Sequence, residues 1–164
     1  MELYLLRHGI AIERSGDRHD AERALTPKGQ RRTKQVAQRL RHLGLRVDGI
    51  WTSPLLRARQ SADILWQVIG GDRPIPLPAL APDGSFTEGL DILKTQQSKN
   101  PNAKIIFVGH QPDLSHWAET LLWGKSHQTL HLKKAGIIGI KLSPLSHSIP
   151  DHQLFLLTSP KWLL

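Results

Sequence analysis

Three short apolar runs each end in a polar turn, and this recurrence restricts the fold more than any other feature of the chain. Glu2–Leu6 runs into Arg7-His8-Gly9, Val47–Thr52 into Ser53-Pro54, and Lys104–Val108 into Gly109-His110-Gln111-Pro112. Helical patterns lie between and after them, which predicts a largely parallel sheet covered by helices. Parallel strands share a carboxyl edge, and open α/β sheets bind ligands outside that edge. The histidines at positions 8 and 110 follow their strands at equivalent points, so both should project into one crevice.

The remaining elements can be read from caps and breakers. Thr26-Pro27 opens a helix with a hydroxyl cap and a proline where no donor is missed. Val36, Ala37, Leu40 and Leu43 follow with helical spacing, and Gly44 ends the helix. Ser53-Pro54 opens a second helix that turns Ala58, Ala62, Leu65, Val68 and Ile69 inward. Ile75–Leu77, in a proline-rich stretch, predicts a short edge strand. Further helices are expected over Ser85–Gln97 and Pro112–Leu122. Gly136–Leu142 and Gln153–Leu157 form an antiparallel pair joined through the polar Ser143–His152 stretch. Residues 10–24 read as a polar surface loop. No internal repeat or linker divides the 164 residues, so one domain spanning 1–164 is expected.

Composition closes several alternatives. The chain has no cysteine, which excludes disulfides and thiolate metal sites. It has no His-Glu-x-x-His pair and no tight carboxylate cluster beside the two histidines, so no bound metal is expected. No basic leader precedes an apolar stretch, and no apolar run nears the roughly 18 residues that span a bilayer. A cytoplasmic protein without membrane contact is expected. The formal net charge is +8, of which +6 falls in residues 1–70. Lys28, Arg31, Arg32, Lys34, Arg39 and Arg41 share one helical stretch that has no acid. Such a stretch is a solvated face or a docking surface for an acidic partner. Nothing interleaves aromatics as nucleic-acid binding would need, so nucleic acid is not the expected partner.

Residue types at the strand ends point to phosphate chemistry. A neutral imidazole, His8, can accept a phosphoryl group covalently. Arg7, adjacent to it, and Arg57, on the first turn of the second helix, would balance the charge of a phosphate dianion. His110 would add a hydrogen bond to the same oxygens. An acid for the leaving group would come from Asp83 or Glu88, each of which could instead be an ordinary helix-start carboxylate. Asp17, His19 and Arg23 of the polar loop are further groups that could reach the pocket.

Taken in order, Leu5-Leu6-Arg7-His8-Gly9, Arg23-Ala24-Leu25-Thr26-Pro27-Lys28-Gly29, Thr52-Ser53-Pro54-Leu55-Leu56-Arg57-Ala58, Leu80-Ala81-Pro82-Asp83-Gly84 and Val108-Gly109-His110-Gln111-Pro112 carry a resemblance. The chain resembles the histidine phosphatase superfamily, Arg-His-Gly branch, and within it the short phosphohistidine phosphatases of the SixA type. The resemblance implies a three-layer α/β sandwich, mostly parallel, with one antiparallel edge strand and helices on both faces. It implies His8 as the phosphoryl acceptor, with Arg7, Arg57 and His110 completing the phosphate pocket, and no metal or organic cofactor. Larger relatives such as the phosphoglycerate mutases place a long insertion and its glutamate over the site. Here only Leu80–Gln97 is available, so an open pocket suited to a phosphorylated protein is expected. A phosphohistidine substrate, whose imidazole leaves readily, eases the need for an acid. The alternatives are a phosphatase of a small phosphomonoester, and a module that binds phosphate or a partner with little catalysis. The oligomeric state stays open, a monomer included.

Overall fold

The computed structural model describes residues 1–13, 19–145 and 151–164. Its strands are β1 (Glu2–Arg7), β2 (Gly49–Thr52), β3 (Ile75–Pro76), β4 (Lys104–Gly109), β5 (Ile137–Lys141) and β6 (Gln153–Thr158). Its helices are α1 (Pro27–His42), α2 (Leu56–Ile69), α3 (Phe86–Lys99), α4 (Asp113–Trp123) and a terminal turn α5 (Pro160–Leu163). The strands form one sheet in the order β3-β2-β4-β1-β5-β6. β1, β2, β3 and β4 run parallel, whereas β5 is antiparallel to both β1 and β6. The antiparallel pairing thus lies at one end of the sheet, as expected, with a refinement: the reversed strand is β5, and β6 covers it as the edge.

Strand alternation divides the core into the two outer interfaces of a sandwich. Leu3 and Leu5 of β1 and Ile105 and Phe107 of β4 turn to one face, where Leu93 of α3 and Leu114 and Trp117 of α4 cover them. Tyr4, Leu6, Ile106 and Val108 turn to the other face, against Val36, Ala37 and Leu40 of α1 and Ala58, Ala62 and Leu65 of α2. Both faces of β1 and β4 are buried, which explains why these strands are continuous apolar runs rather than alternating ones. Each fully buried Leu or Ile contributes roughly 1.5–3 kcal/mol. Among the described residues no helix is long and apolar enough to cross a membrane.

Thr26 caps α1 as its sequence predicts, its Oγ1 accepting from the Gly29 amide at 2.9 Å. The helix stops at His42, so Leu43 is the cap residue and lies 61% exposed instead of facing the core. Gly44, at φ +89°, then reverses the chain. The second strand begins at Gly49, two residues later than its apolar pattern, because the Asp48 amide and carboxylate are bound to the Lys104 backbone. α2 likewise begins at Leu56, with no side-chain cap from Ser53. The α5 turn and the 3₁₀ turn at Asp20–Glu22 have no counterpart in the sequence expectations.

Candidate active site

Register places the two histidines side by side. β1 and β4 pair in parallel through Leu6 with Val108 and Arg7 with Gly109, so His8 and His110 each stand one residue beyond the last pair. The His8 amide donates to the Gly109 carbonyl at 3.1 Å, and the two imidazole rings lie 5.0 Å apart between centroids. β2 ends at the same edge, with Thr52 opposite Val108, and the first turn of α2 carries Arg57 to His8. Gly9 then lets the chain leave β1 against α1: a Cβ there would strike Thr33 Oγ1. The Gly9 amide donates to Ser61 Oγ, which donates to the Arg57 carbonyl, tying the β1 turn to α2.

The hydrogen bonds of His8 fix its tautomer. Its Nδ1 lies 2.7 Å from the Gly9 carbonyl, an acceptor only, so Nδ1 carries the proton. Arg57 Nε, a donor only, reaches His8 Nε2 at 3.3 Å, so Nε2 carries the lone pair. The ring is 6% exposed, and burial, followed by the neighbouring His110, lowers its pKa to about 3. His8 is therefore a neutral imidazole across the physiological range, with its electron pair at Nε2 accepting from Arg57 Nε. His110, also buried, has its pKa lowered to about 4 by burial and then by Arg57. Its Nε2 lies 2.8 Å from Ser53 Oγ. Ser53, which the sequence presents as a helix opener, thus orients the second imidazole.

Arg7, His8, Arg57 and His110 line one cavity of about 250 Å³, which Arg23, Gln111 and Lys134 also line. Among the described residues no carboxylate lines it. Arg57 is 3% exposed and holds Asp20 through Nη1 to the backbone carbonyl at 2.7 Å and Nη2 to Oδ2 at 2.9 Å. Arg23 bonds the other oxygen of the same carboxylate, Nε and Nη2 each 2.8 Å from Oδ1. These guanidiniums outweigh the desolvation of Asp20 and hold its carboxyl below its ordinary pKa. Arg7 donates from Nη1 to the Leu132 carbonyl at 2.9 Å. The segment before β5 is clamped to the same turn, because the Ala135 amide is shared between the Arg7 and His8 carbonyls.

Four of the six expected site residues are thus brought together, and two are not. Asp83 and Glu88 are exposed, and neither lines the cavity; Pro82 reaches it instead. Asp83 adopts a left-handed φ of 61° in the turn before α3. Glu88 occupies the first turn of α3, where a carboxylate favours the helix dipole and Ser85 Oγ caps its amide. Of the loop residues, Arg23 reaches the cavity, His19 is exposed and does not line it, and Asp17 lies outside the described residues. Asp20, Ser53 and Lys134 were not anticipated. Asp20 alone had a sequence signal, an acid three residues before Arg23. Among the described residues no three His, Cys, Asp or Glu side chains group as a metal site would need.

Comparison with known proteins agrees with this geometry. The family model for the histidine phosphatase superfamily (branch 1) matches residues 3–82. The chain is 52% identical over 165 residues to an uncharacterized protein of Picosynechococcus, covering 100% of this chain and 99% of that one. It is 37% identical over 71 residues to the mitochondrial serine/threonine-protein phosphatase Pgam5 of Drosophila virilis, which is 43% of this chain and 24% of that one. Among solved structures, the protein histidine phosphatase SixA complexed with tungstate superposes with a TM-score of 0.87 at 21% identity, over 100% of both chains. A phosphoserine phosphatase from Entamoeba histolytica, a mutant bound to phosphoserine, superposes with a TM-score of 0.69 at 18% identity over 99% of each chain. With its Arg-His-Gly strand end inside the matched segment, the chain belongs to the histidine phosphatase superfamily.

Proposed function

We propose that the protein is a phosphatase that works through a phospho-His8 intermediate and acts on phosphohistidine in a protein. One observation carries the chemistry: a neutral, buried His8 with its electron pair at Nε2 lines a cavity whose charged side chains, among the described residues, are all cationic. In the first step that lone pair forms a P–N bond while the bond from phosphorus to the leaving atom breaks. The leaving atom keeps the electron pair and takes a proton from solvent. Arg7 and Arg57 balance the charge on the phosphoryl oxygens, and fixed donors of this kind are worth most in a site shielded from water. In the second step water attacks phosphorus, the P–N electrons return to His8 Nε2, and the water's proton passes to solvent or to the departing phosphate.

The described lining of the cavity supports the choice of substrate. An alkoxide leaving group needs a carboxylic acid or similar donor nearby. Among the described residues none lines this cavity, and Asp20, the carboxylate that Arg57 binds, is held ionised by two guanidiniums. An imidazole leaving from phosphorus needs little such help. The protein histidine phosphatase named for the SixA structure supports this choice. The test is hydrolysis of p-nitrophenyl phosphate and of a phosphohistidine protein by wild type and by His8→Ala. Expected is turnover of both that requires His8, with the phosphohistidine protein the better substrate and an acid-labile phosphoenzyme on quenching. Equal turnover by His8→Ala overturns the mechanism, and preference for the phosphomonoester overturns the substrate.

A further inference from the structure

A second cavity, of about 460 Å³, adjoins the first and shares Arg7 and Lys134 with it. Its other charged lining residues are Arg32 of α1, Lys133 and Lys161, and among the described residues no carboxylate lines it. None of these five cationic side chains takes part in an ion pair among the described residues. Buried polar atoms are nearly always bonded, because leaving a donor unpaired costs about 1–3 kcal/mol. Among the described residues two buried side-chain polar atoms have no partner, and they are Arg7 Nε and Arg32 Nε. Both belong to residues of this cavity. An anion bound there would relieve the mutual repulsion of five cations and give the guanidiniums acceptors.

The fold explains how the cations meet. The basic stretch of α1 contains no acid, so Arg32 has no neighbour on its own helix to pair with. The clamp from Ala135 to the Arg7 and His8 carbonyls pins Lys133 and Lys134 beside Arg7. The chain's last turn, α5, adds Lys161. We propose that these residues form an oxyanion subsite that takes a carboxylate of the protein substrate lying next to its phosphorylated residue. The subsite rests on the protein-substrate reading above. Because Arg7 faces both cavities, a substrate bearing a phosphoryl group and a nearby acidic side chain can fill both at once. Of the acid-free basic stretch of α1, Arg32 thereby gains a defined occupant.

Three substrates and two variants test this. Wild type, Arg32→Ala and the double variant Arg32→Ala/Lys161→Ala are assayed on p-nitrophenyl phosphate, on a phosphohistidine peptide with neutral flanks, and on the same peptide with Asp and Glu flanks. Thermal melts check that the variants fold. The double variant should raise KM for the acidic peptide about tenfold, as expected for loss of one or two charge-assisted bonds. KM for the other two substrates and all kcat values should stay within about twofold. Equal KM for the two peptides on wild type, or a parallel loss on all three substrates, overturns the subsite. If neither phosphohistidine peptide is turned over, the substrate reading fails separately. The subsite is then judged by anisotropy of a labelled oligoglutamate peptide: binding lost in the double variant supports it, and binding unchanged by the variant, or none to wild type, overturns it.

Discussion

At the scale of single residues, the site is built from groups that each satisfy more than one demand. Arg57 spends its Nε on His8 Nε2 and both Nη groups on Asp20, so one planar fork aims the nucleophile and is itself held in place. A lysine offers one point charge and cannot reproduce those directions. Arg57→Lys should therefore lower kcat/KM for p-nitrophenyl phosphate by about 10²–10³, the scale seen when one fixed donor to a developing anion is lost. The measurement is steady-state kinetics with circular dichroism as a fold control; a loss under threefold would show that charge alone suffices. His8 was legible in the sequence because its role depends on local facts, a strand end followed by glycine. The role of Asp20 at Arg57 was not, because beyond its spacing to Arg23 this contact bridges 37 positions and exists only once the Asp20–Glu22 turn packs on α2.

At the scale of elements, the wall that receives Arg7 hangs on one buried acid. Glu119 of α4 is fully buried and accepts from the amides of His127, Gln128, Thr129 and Leu130 and from the hydroxyls of Ser126 and Thr129. Those donors outweigh desolvation and hold its carboxyl far below the ordinary range. The loop so fixed leads directly to the Leu132 carbonyl that accepts from Arg7. Glu119→Gln would turn an amide NH₂ toward backbone donors and lose a charged acceptor. It should destabilise the fold by about 2–4 kcal/mol, measured by urea unfolding, and raise KM for p-nitrophenyl phosphate through the slackened Arg7. Unchanged stability would show that the loop is held by other contacts. Nothing in the sequence marks this glutamate, since an acid on an amphipathic helix reads as surface until the loop wraps it. By contrast the helix starts at Thr26 and Ser85 were legible, because a cap depends on residues three positions apart. The place of β5 between β1 and β6 was not, since strand order is decided by packing over the whole sheet.

At the scale of the whole molecule, the cationic cavity makes stability depend on pH in two separable windows. His8 and His110 are buried and neutral in the fold, with pKa values lowered to about 3 and about 4, and burial lowers His152 in the same direction. In the unfolded chain each returns to an ordinary value near 6.5. Above pH 6.5 these residues are neutral in both states and cost nothing. Between 6.5 and about 4 the unfolded chain binds protons that the folded one excludes, so stability falls as pH falls. Carboxylates act lower. Glu119 and Asp20, held below their ordinary values by hydrogen bonds and guanidiniums, contribute stability that is fully present above pH 4.5 and is lost as they protonate below it. The melting temperature should therefore be flat from pH 7 to 8, decline from pH 6.5 to 4.5, and drop more steeply beneath. Replacing both site histidines in His8→Gln/His110→Gln should shrink the upper window to the part that His152 contributes and leave the lower one intact. Calorimetric melts of both proteins from pH 4 to 8 decide it: a wild-type profile that stays level down to pH 5 would mean that the imidazoles are already charged in the fold, and with that the neutral nucleophile at His8 would go too.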